Sequence, residues 1–361
     1  MIKAVVIDDS AFNRVTLTRM LESEGTVRVV ATAVDGEDGI KQVMRHHPDV
    51  ITLDLEMPAM DGFSFLRWLM ASRPTPVIVI SSRASDRNVF KALELGAFDF
   101  IPKPGGRVSP RLEEIRLELV RKAVQCANVR LENVRKRISD EEHPPAAGVQ
   151  APAQTGKGPF DCIVIGASTG GPPALQSLFQ QLRPLPVPIV VAQHMPPVFT
   201  RLFAERVDRL SGWKVVEGAH GAMLEPGVAY VSPGGMESTI QRDANGALRL
   251  RVRSRSELDI YAPSVNRLFS SAAEACGARL YGIVLTGMGD DGAEGVRVIA
   301  ERGGKTMAED ASTAIIFGMP AEAIRTGAVQ QVRPLHEIGG AIGEMWEGGE
   351  GSQKAEGRRQ K

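Results

Sequence analysis

The stretch Asp161-Cys162-Ile163-Val164-Ile165-Gly166-Ala167-Ser168-Thr169-Gly170-Gly171-Pro172-Pro173 runs a short apolar segment into a glycine-flanked serine and then into a helical pattern. Four consecutive apolar residues, Cys162 to Ile165, suit a buried strand. Two prolines suit the first turn of a helix, where backbone N–H groups have no partner in any case. A strand, a tight turn and a helix in this order form one unit of a parallel α/β sheet. The turn leaves Ser168 at a strand tip, where its hydroxyl is presented outward and helix-start amides can stabilise an oxyanion. Two readings stand at this point. Many βα turns are rich in Gly and Ser for conformational reasons alone, and Gly166-x-Ser168-x-Gly170 is a weak motif by itself. The other reading makes Ser168 a nucleophile, and then it needs a base.

Outward from that turn the alternation continues. Strand-like runs are DCIVIG, PIVVAQ, KVVEG, VAYVS, LYGIVLTG, TMAED and AVQQV, and helical patterns cover 174–182, 199–210, 264–275, 294–301 and 321–325. Asn245-Gly246, between STIQRD and ALRLRV, signals a β-hairpin. This half, residues 160–346, reads as a doubly wound α/β domain with a hairpin. The tail 347–361, EGGEGSQKAEGRRQK, has almost nothing to bury and reads as disordered.

Toward the N-terminus, residues 1–125 repeat the theme with other motifs. Apolar runs KAVVID, VRVVATAV, VITLDL, PVIVIS and FDFIPK alternate with helical patterns at 14–24, 37–45, 63–72, 86–95 and 110–124. Five strands and five helices predict a (βα)5 parallel sheet of flavodoxin-like kind. Residues 126–159 begin as a basic helical extension and become rich in Pro, Ala and Gly, which is a linker composition. The basic face at 130–137 has interspersed glutamates and reads as a solvated helix.

Composition bounds the function. A chain of 361 residues suggests two or three domains. Lys plus Arg and Asp plus Glu number 43 each, so the net charge is zero, which argues against general nucleic-acid or membrane-surface binding. Cys126, Cys162 and Cys276 form no CxxC pair and read as free thiols in a reducing compartment. No run of about 18 apolar residues predicts a membrane span. The opening MIKAVVIDDS lacks a signal peptide's layout, and the expected location is cytoplasmic.

In the first half, Asp8 and Asp9 end one strand, Asp54 another, Ser81 a fourth and Lys103 a fifth. Ligands of open parallel sheets bind at these carboxyl ends. Three carboxylates together require a cation, and oxygen donors suit magnesium. With the metal in place Asp54 could attack phosphorus, while Lys103 and Ser81 hold the new phosphate oxygens. VVIDDS, LDLEMPAMDG, VISS and the final Lys-Pro resemble the receiver domain of two-component response regulators. The resemblance implies that Asp54 is the phosphoacceptor and that Asp8 and Asp9 help bind Mg2+. It further implies that Ser81 is the switch hydroxyl, Phe100 the switch aromatic, and a histidine kinase the phosphodonor.

In the second half one histidine stands out as candidate base, although taken alone it could equally be a polar residue ending a strand. Of six histidines, His46 and His47 lie in the first domain and His143 in the linker. Of His194, His220 and His336, only His194 directly follows an apolar run, PIVVAQ. Asp290 and Asp291 follow the strand in LYGIVLTGMGDDG. Either could orient the base, and either could merely cap the next helix. Ser, His and Asp at three strand ends is the constellation of acyl transfer, in an order unlike that of α/β-hydrolases. IGASTGGP, AQHMP, LTGMGDDGA and AEDASTAIIFGMPAEA together resemble chemotaxis protein-glutamate methylesterases, the CheB family.

That resemblance implies Ser168 as nucleophile, His194 as base, Asp291 as orienting acid, and the amides of Thr169 and Met288 as oxyanion donors, with no cofactor for the ester chemistry. It implies hydrolysis of glutamate γ-methyl esters on methyl-accepting chemoreceptors, with deamidation of some receptor glutamines. The expected protein is a monomer in which the unphosphorylated receiver covers the Ser168 cleft. Two departures from the family pattern, Glu237 for a common histidine and Asn266 for a common aspartate, are expected to leave the triad untouched and to bear on receptor choice. A non-catalytic regulator is disfavoured by the intact triad, and a DNA-binding one by the absence of a helix-turn-helix pattern. A methylesterase serving a non-motility pathway remains open.

Overall fold

The computed structural model describes residues 1–81, 86–103, 110–126, 158–256 and 259–356. The chain divides into two compact units, Met1–Pro145 and Ala146–Lys361. The division falls within the 126–159 stretch, of which 127–157 lies outside the described residues.

The first unit alternates β1 (Ile2–Ile7), α1 (Ala11–Glu22), β2 (Val27–Ala33), α2 (Gly36–His46), β3 (Val50–Asp54), α3 (Gly62–Ser72), β4 (Val77–Ser81), α4 (Asp86–Glu94), β5 (Asp99–Pro102) and α5 (Pro110–Cys126). The strands are parallel in the order β2-β1-β3-β4-β5. Strands β3 and β4 are buried at every position, which is why VITLD and VIVIS read as near-continuous apolar runs. The strand order reverses between β1 and β3, so the crevice of the sheet opens where Asp8, Asp9 and Asp54 stand.

The second unit carries seven parallel strands in the order β14-β13-β12-β6-β7-β9-β8. They are β6 (Cys162–Ala167), β7 (Ile189–Gln193), β8 (Lys214–Glu217), β9 (Val228–Val231), β12 (Leu280–Val284), β13 (Lys305–Glu309) and β14 (Gln331–Arg333). β10 (Met236–Arg242) and β11 (Leu248–Ser254) make a separate antiparallel hairpin, with Asn245-Gly246 in its turn. Helices α6 (Gly171–Gln181), α7 (Phe199–Leu210), α8 (Val265–Cys276), α9 (Ala293–Glu301) and α10 (Met319–Arg325) complete the winding. β6 has β7 on one side and β12 on the other, so the switch point lies at the carboxyl end of β6, beside Ser168.

Helix α8 packs on this centre with Val265, Leu268, Phe269, Ala272 and Ala273 fully buried, an i, i+3, i+4, i+7, i+8 stripe. Each large apolar side chain so buried contributes about 1.5–3 kcal/mol. The approach is close enough that a Cβ on Gly166 would lie 2.3 Å from Val265 Cγ1. A glycine in β6 is therefore a packing requirement of helix α8 as well as part of the serine motif.

One expectation is corrected. Helix α11 spans Leu335–Glu356, covering a segment with no predicted element and reaching ten residues into the stretch 347–361 read as disordered. Residues 357–361 lie outside the described residues. Gly339, Gly340 and Gly343 hid the periodicity, yet Leu335, Ile338, Ala341, Ile342 and Trp346 are buried along one face. Once that packing nucleates the helix, extending it costs little per residue. Trp346 lies 6.2 Å from Phe160, which stacks on Tyr281 at 5.1 Å. Trp346→Ala is expected to cost about 3–5 kcal/mol. It should lower the thermal midpoint of the second unit alone; an unchanged midpoint would contradict the anchoring role.

Candidate active site

Ser168 follows β6, His194 follows β7 and Asp291 follows β12, three neighbouring strand ends. The Ser168 turn is held by its own backbone: its N–H donates to the Thr286 carbonyl at 3.1 Å, and its carbonyl accepts from Gly171 at 2.8 Å. His194 N–H donates to the Ala167 carbonyl at 3.0 Å, tying the base to the nucleophile turn. Gly287 passes so close that a Cβ there would lie 2.8 Å from Ser168 Cβ.

His194 Nε2 lies 2.8 Å from Asp291 Oδ2. A carboxylate can only accept, so Nε2 carries the proton and Nδ1 is the basic nitrogen. The ring is used in the opposite sense to the serine-protease template, where Nδ1 faces the acid. Asp291 is 1 % exposed, whereas Asp290 is exposed. Of the two acids, Asp291 is the one that is buried and bonded to His194.

Asp291 sits at the N-terminus of α8. Its Oδ2 accepts from Val265 N at 2.7 Å, and its Oδ1 accepts from Asn266 N at 2.8 Å and Ser264 Oγ at 3.1 Å. Burial alone would raise its carboxyl. The His194 hydrogen bond and charge and the two backbone N–H groups outweigh that and hold it below the usual carboxylate range. Sequence reasoning did not find this helix-end cradle, although the run Pro263-Ser264-Val265-Asn266 has the form of a capped helix start. It also missed Tyr261, whose ring stacks on His194 at 4.7 Å and 4°, and Gln193, which donates from Nε2 to the carbonyls of both Ser168 and His194.

In the first unit the expected cluster also assembles. Carboxylate oxygens of Asp8, Asp9 and Asp54 lie within 4.8 Å of one another. Lys103 Nζ is 2.5 Å from Asp54 Oδ2 and 3.7 Å from Asp8 Oδ2. Burial pushes the Asp54 carboxyl up against the pull of Lys103. Ser81 is buried at the end of β4. Phe100 is buried on β5, 6.5 Å from the Phe90 ring, with Lys122 Nζ 5.7 Å from its centroid. Three hard oxygen donors within reach of one small cation fit magnesium.

Residues 163–342 match the family described as CheB methylesterase, and residues 4–110 match the response regulator receiver domain. The chain is 48% identical over 342 residues to protein-glutamate methylesterase/protein-glutamine glutaminase 1 of Myxococcus xanthus, covering 94% of this chain and 96% of that one. It is 43% identical to protein-glutamate methylesterase/protein-glutamine glutaminase 3 of Geobacter sulfurreducens, over 93% and 95% of the two chains. The chain belongs to the CheB methylesterase family. Among solved structures, the CheB methylesterase catalytic domain of Thermotoga maritima is 34% identical, covering 52% of this chain and 98% of that one at a TM-score of 0.49.

The two departures from the CheB pattern fall at the start of α8 and on β10. Asn266 contacts Asp291 through its backbone N–H, and its side-chain Oδ1 accepts from Gly292 and Gly295 at 2.9 and 2.8 Å, capping α9. It flanks the catalytic-acid turn because α8 and α9 start side by side, a tertiary adjacency with no local signature. Glu237 is fully buried on β10. Its carboxylate oxygens accept no well-formed hydrogen bond among the described residues, the Ser264 N–H exerting only the weakest pull on them, and Arg267 Nε is 3.8 Å away. Burial, with the nearby Asp259 charge, pushes its carboxyl up to about 7.

The unfolded chain releases the Glu237 proton near 4.5, whereas the folded chain keeps it to about 7. This group's contribution to stability is therefore lost as pH rises through that window. Glu237→Gln should match the wild type near pH 4 and exceed it increasingly up to about pH 7, then hold a constant gain. Thermal midpoints across that range test this; a difference independent of pH would contradict it.

Proposed function

We propose that this chain is a phosphorylation-activated protein-glutamate methylesterase. It hydrolyses glutamate γ-methyl esters on methyl-accepting chemoreceptors, deamidates receptor glutamines, and so resets signalling in chemotaxis adaptation. Family membership and the relatives' names support the activity. The observation that carries the chemistry is the 2.8 Å bond between His194 and the buried Asp291, at the strand end next to Ser168.

In this reading Ser168 Oγ attacks the ester carbonyl carbon while its proton passes to His194 Nδ1. Asp291 keeps the proton on Nε2 and stabilises the imidazolium. The amides of Thr169 and Met288 take the oxyanion. As the tetrahedral intermediate collapses, the imidazolium returns its proton to the departing methoxide, releasing methanol and leaving an acyl-serine. Water, deprotonated by His194, then frees the glutamate carboxylate and regenerates the serine. With a glutamine side chain the leaving group is ammonia. No cofactor enters these steps.

In the receiver, Asp8, Asp9 and Asp54 would hold Mg2+. Bound there, the ion would supply the positive charge that offsets repulsion between these carboxylates and an incoming phosphoryl group. Asp54 accepts the phosphoryl group from a chemotaxis histidine kinase, and Lys103 and Ser81 contact its oxygens. Among the described residues no helix is long and apolar enough to cross a membrane, and the reading is of a cytoplasmic monomer that meets its receptors at their soluble portions.

The test is methanol release from a methylated receptor preparation, with and without a small phosphodonor and Mg2+. Release that rises with the phosphodonor is expected. No release under either condition would overturn the assignment.

A further inference from the structure

We propose that Gln193 is a positioning residue for oxyanion binding, acting through the Ser168 carbonyl; the inference rests on the active-site reading above. Gln193 is the last residue of β7, immediately before His194, and is 1 % exposed. Its Nε2 donates to the Ser168 carbonyl at 2.9 Å and to the His194 carbonyl at 2.9 Å. Turning the amide over would set its oxygen against two carbonyl oxygens, so the orientation is determined by these contacts.

The other end of the amide is costly. Gln193 Oε1 is buried and accepts no hydrogen bond among the described residues. It presses on the helix start, where a Cβ on Gly171 would lie 2.0 Å from it. Gly171 is therefore required for Gln193 to occupy its place. A methionine would fill nearly the same volume without leaving a desolvated acceptor. A buried amide that breaks the rule of satisfied polar groups points to a compensating gain at a functional site.

The gain lies in which peptide Gln193 holds. The Ser168 C=O and the Thr169 N–H are the two ends of one planar unit. That carbonyl accepts from Gln193 Nε2 and from Gly171 N. Two donors on the oxygen end set the rotation of the plane, and with it the direction of the Thr169 N–H. They also polarise the peptide, which strengthens its N–H as a donor. The second bond, to the His194 carbonyl, ties the base-bearing turn to the same amide.

The test uses the full-length protein with Gln193→Met and, in case that variant folds poorly, Gln193→Glu, whose carboxylate cannot donate. The expected result is a kcat lower by about 10- to 100-fold, less than the loss of a whole oxyanion donor. KM, the position of the pH–rate profile and the thermal midpoint of Gln193→Met should stay near wild type, because substrate contacts, the His194–Asp291 pair and the packing are kept. Affinity for an alkylboronic acid, which forms a tetrahedral adduct on serine, should fall by a similar factor. A wild-type kcat would overturn the proposal. So would a loss of kcat that comes with a displaced pH profile or a lowered midpoint, since either marks Gln193 as a support for the base or for packing. Ser168→Ala is run in parallel: if it keeps full activity, the active-site reading itself fails, whereas an inactive Ser168→Ala beside a fully active Gln193→Met removes only the role of Gln193.

Discussion

Ser168→Ala is expected to abolish methanol release, by at least about 10³-fold, while phosphorylation at Asp54 proceeds as in the wild type. Without the oxygen nucleophile, only binding and the oxyanion amides remain to stabilise the transition state. The change should not disturb the fold. The turn is maintained by backbone bonds, from Ser168 N to the Thr286 carbonyl and from Gly171 N to the Ser168 carbonyl, and these survive the loss of a hydroxyl. Activity and structure can thus be separated by measuring methanol release and the circular dichroism melt on the same preparation. Release near the wild-type rate in a folded Ser168→Ala protein would remove Ser168 from the mechanism.

Asp54→Asn should reduce phosphoryl uptake by at least about 100-fold, because a neutral amide is a poor nucleophile and a weaker magnesium ligand. The side chain is nearly isosteric. Asp54 is 2 % exposed and burial already disfavours its charge, so the neutral amide need not destabilise the sheet. Lys103 loses its 2.5 Å partner but keeps Asp8 at 3.7 Å. Basal esterase activity should persist, and its stimulation by a phosphodonor should vanish. Labelled phosphate still accumulating on the variant in magnesium would identify another acceptor.

The elements that sequence reasoning located are those whose signal is local. Short apolar runs marked β1, β3, β4, β6 and β7, and the polar residue following each run marked a strand tip. Asp8, Asp54, Ser168 and His194 were legible for that reason. The C-terminal helix was not, since three glycines lowered its apparent propensity while Trp346 and its neighbours supplied the stabilising contacts from across the fold. The burial of Glu237 was not legible either, because nothing near it in the sequence reports that β10 turns it inward.

The sequence by itself determined that this is a two-part parallel α/β protein with acidic, serine and histidine groups at strand ends. Strand periodicity and βα order are properties of neighbouring residues, and parallel sheets place strand ends along one crevice. Which residues meet across that crevice was decided only by the tertiary structure. Asp291 rather than Asp290 reaches His194 because the starts of α8 and α9 converge there, and the amides of Val265 and Asn266 make a site for one carboxylate. The same holds for Gln193, whose two bonds join turns that lie far apart in sequence. Hydrogen bonds between distant segments depend on distances that no local pattern encodes, and they exist only once the sheet and its helices have packed.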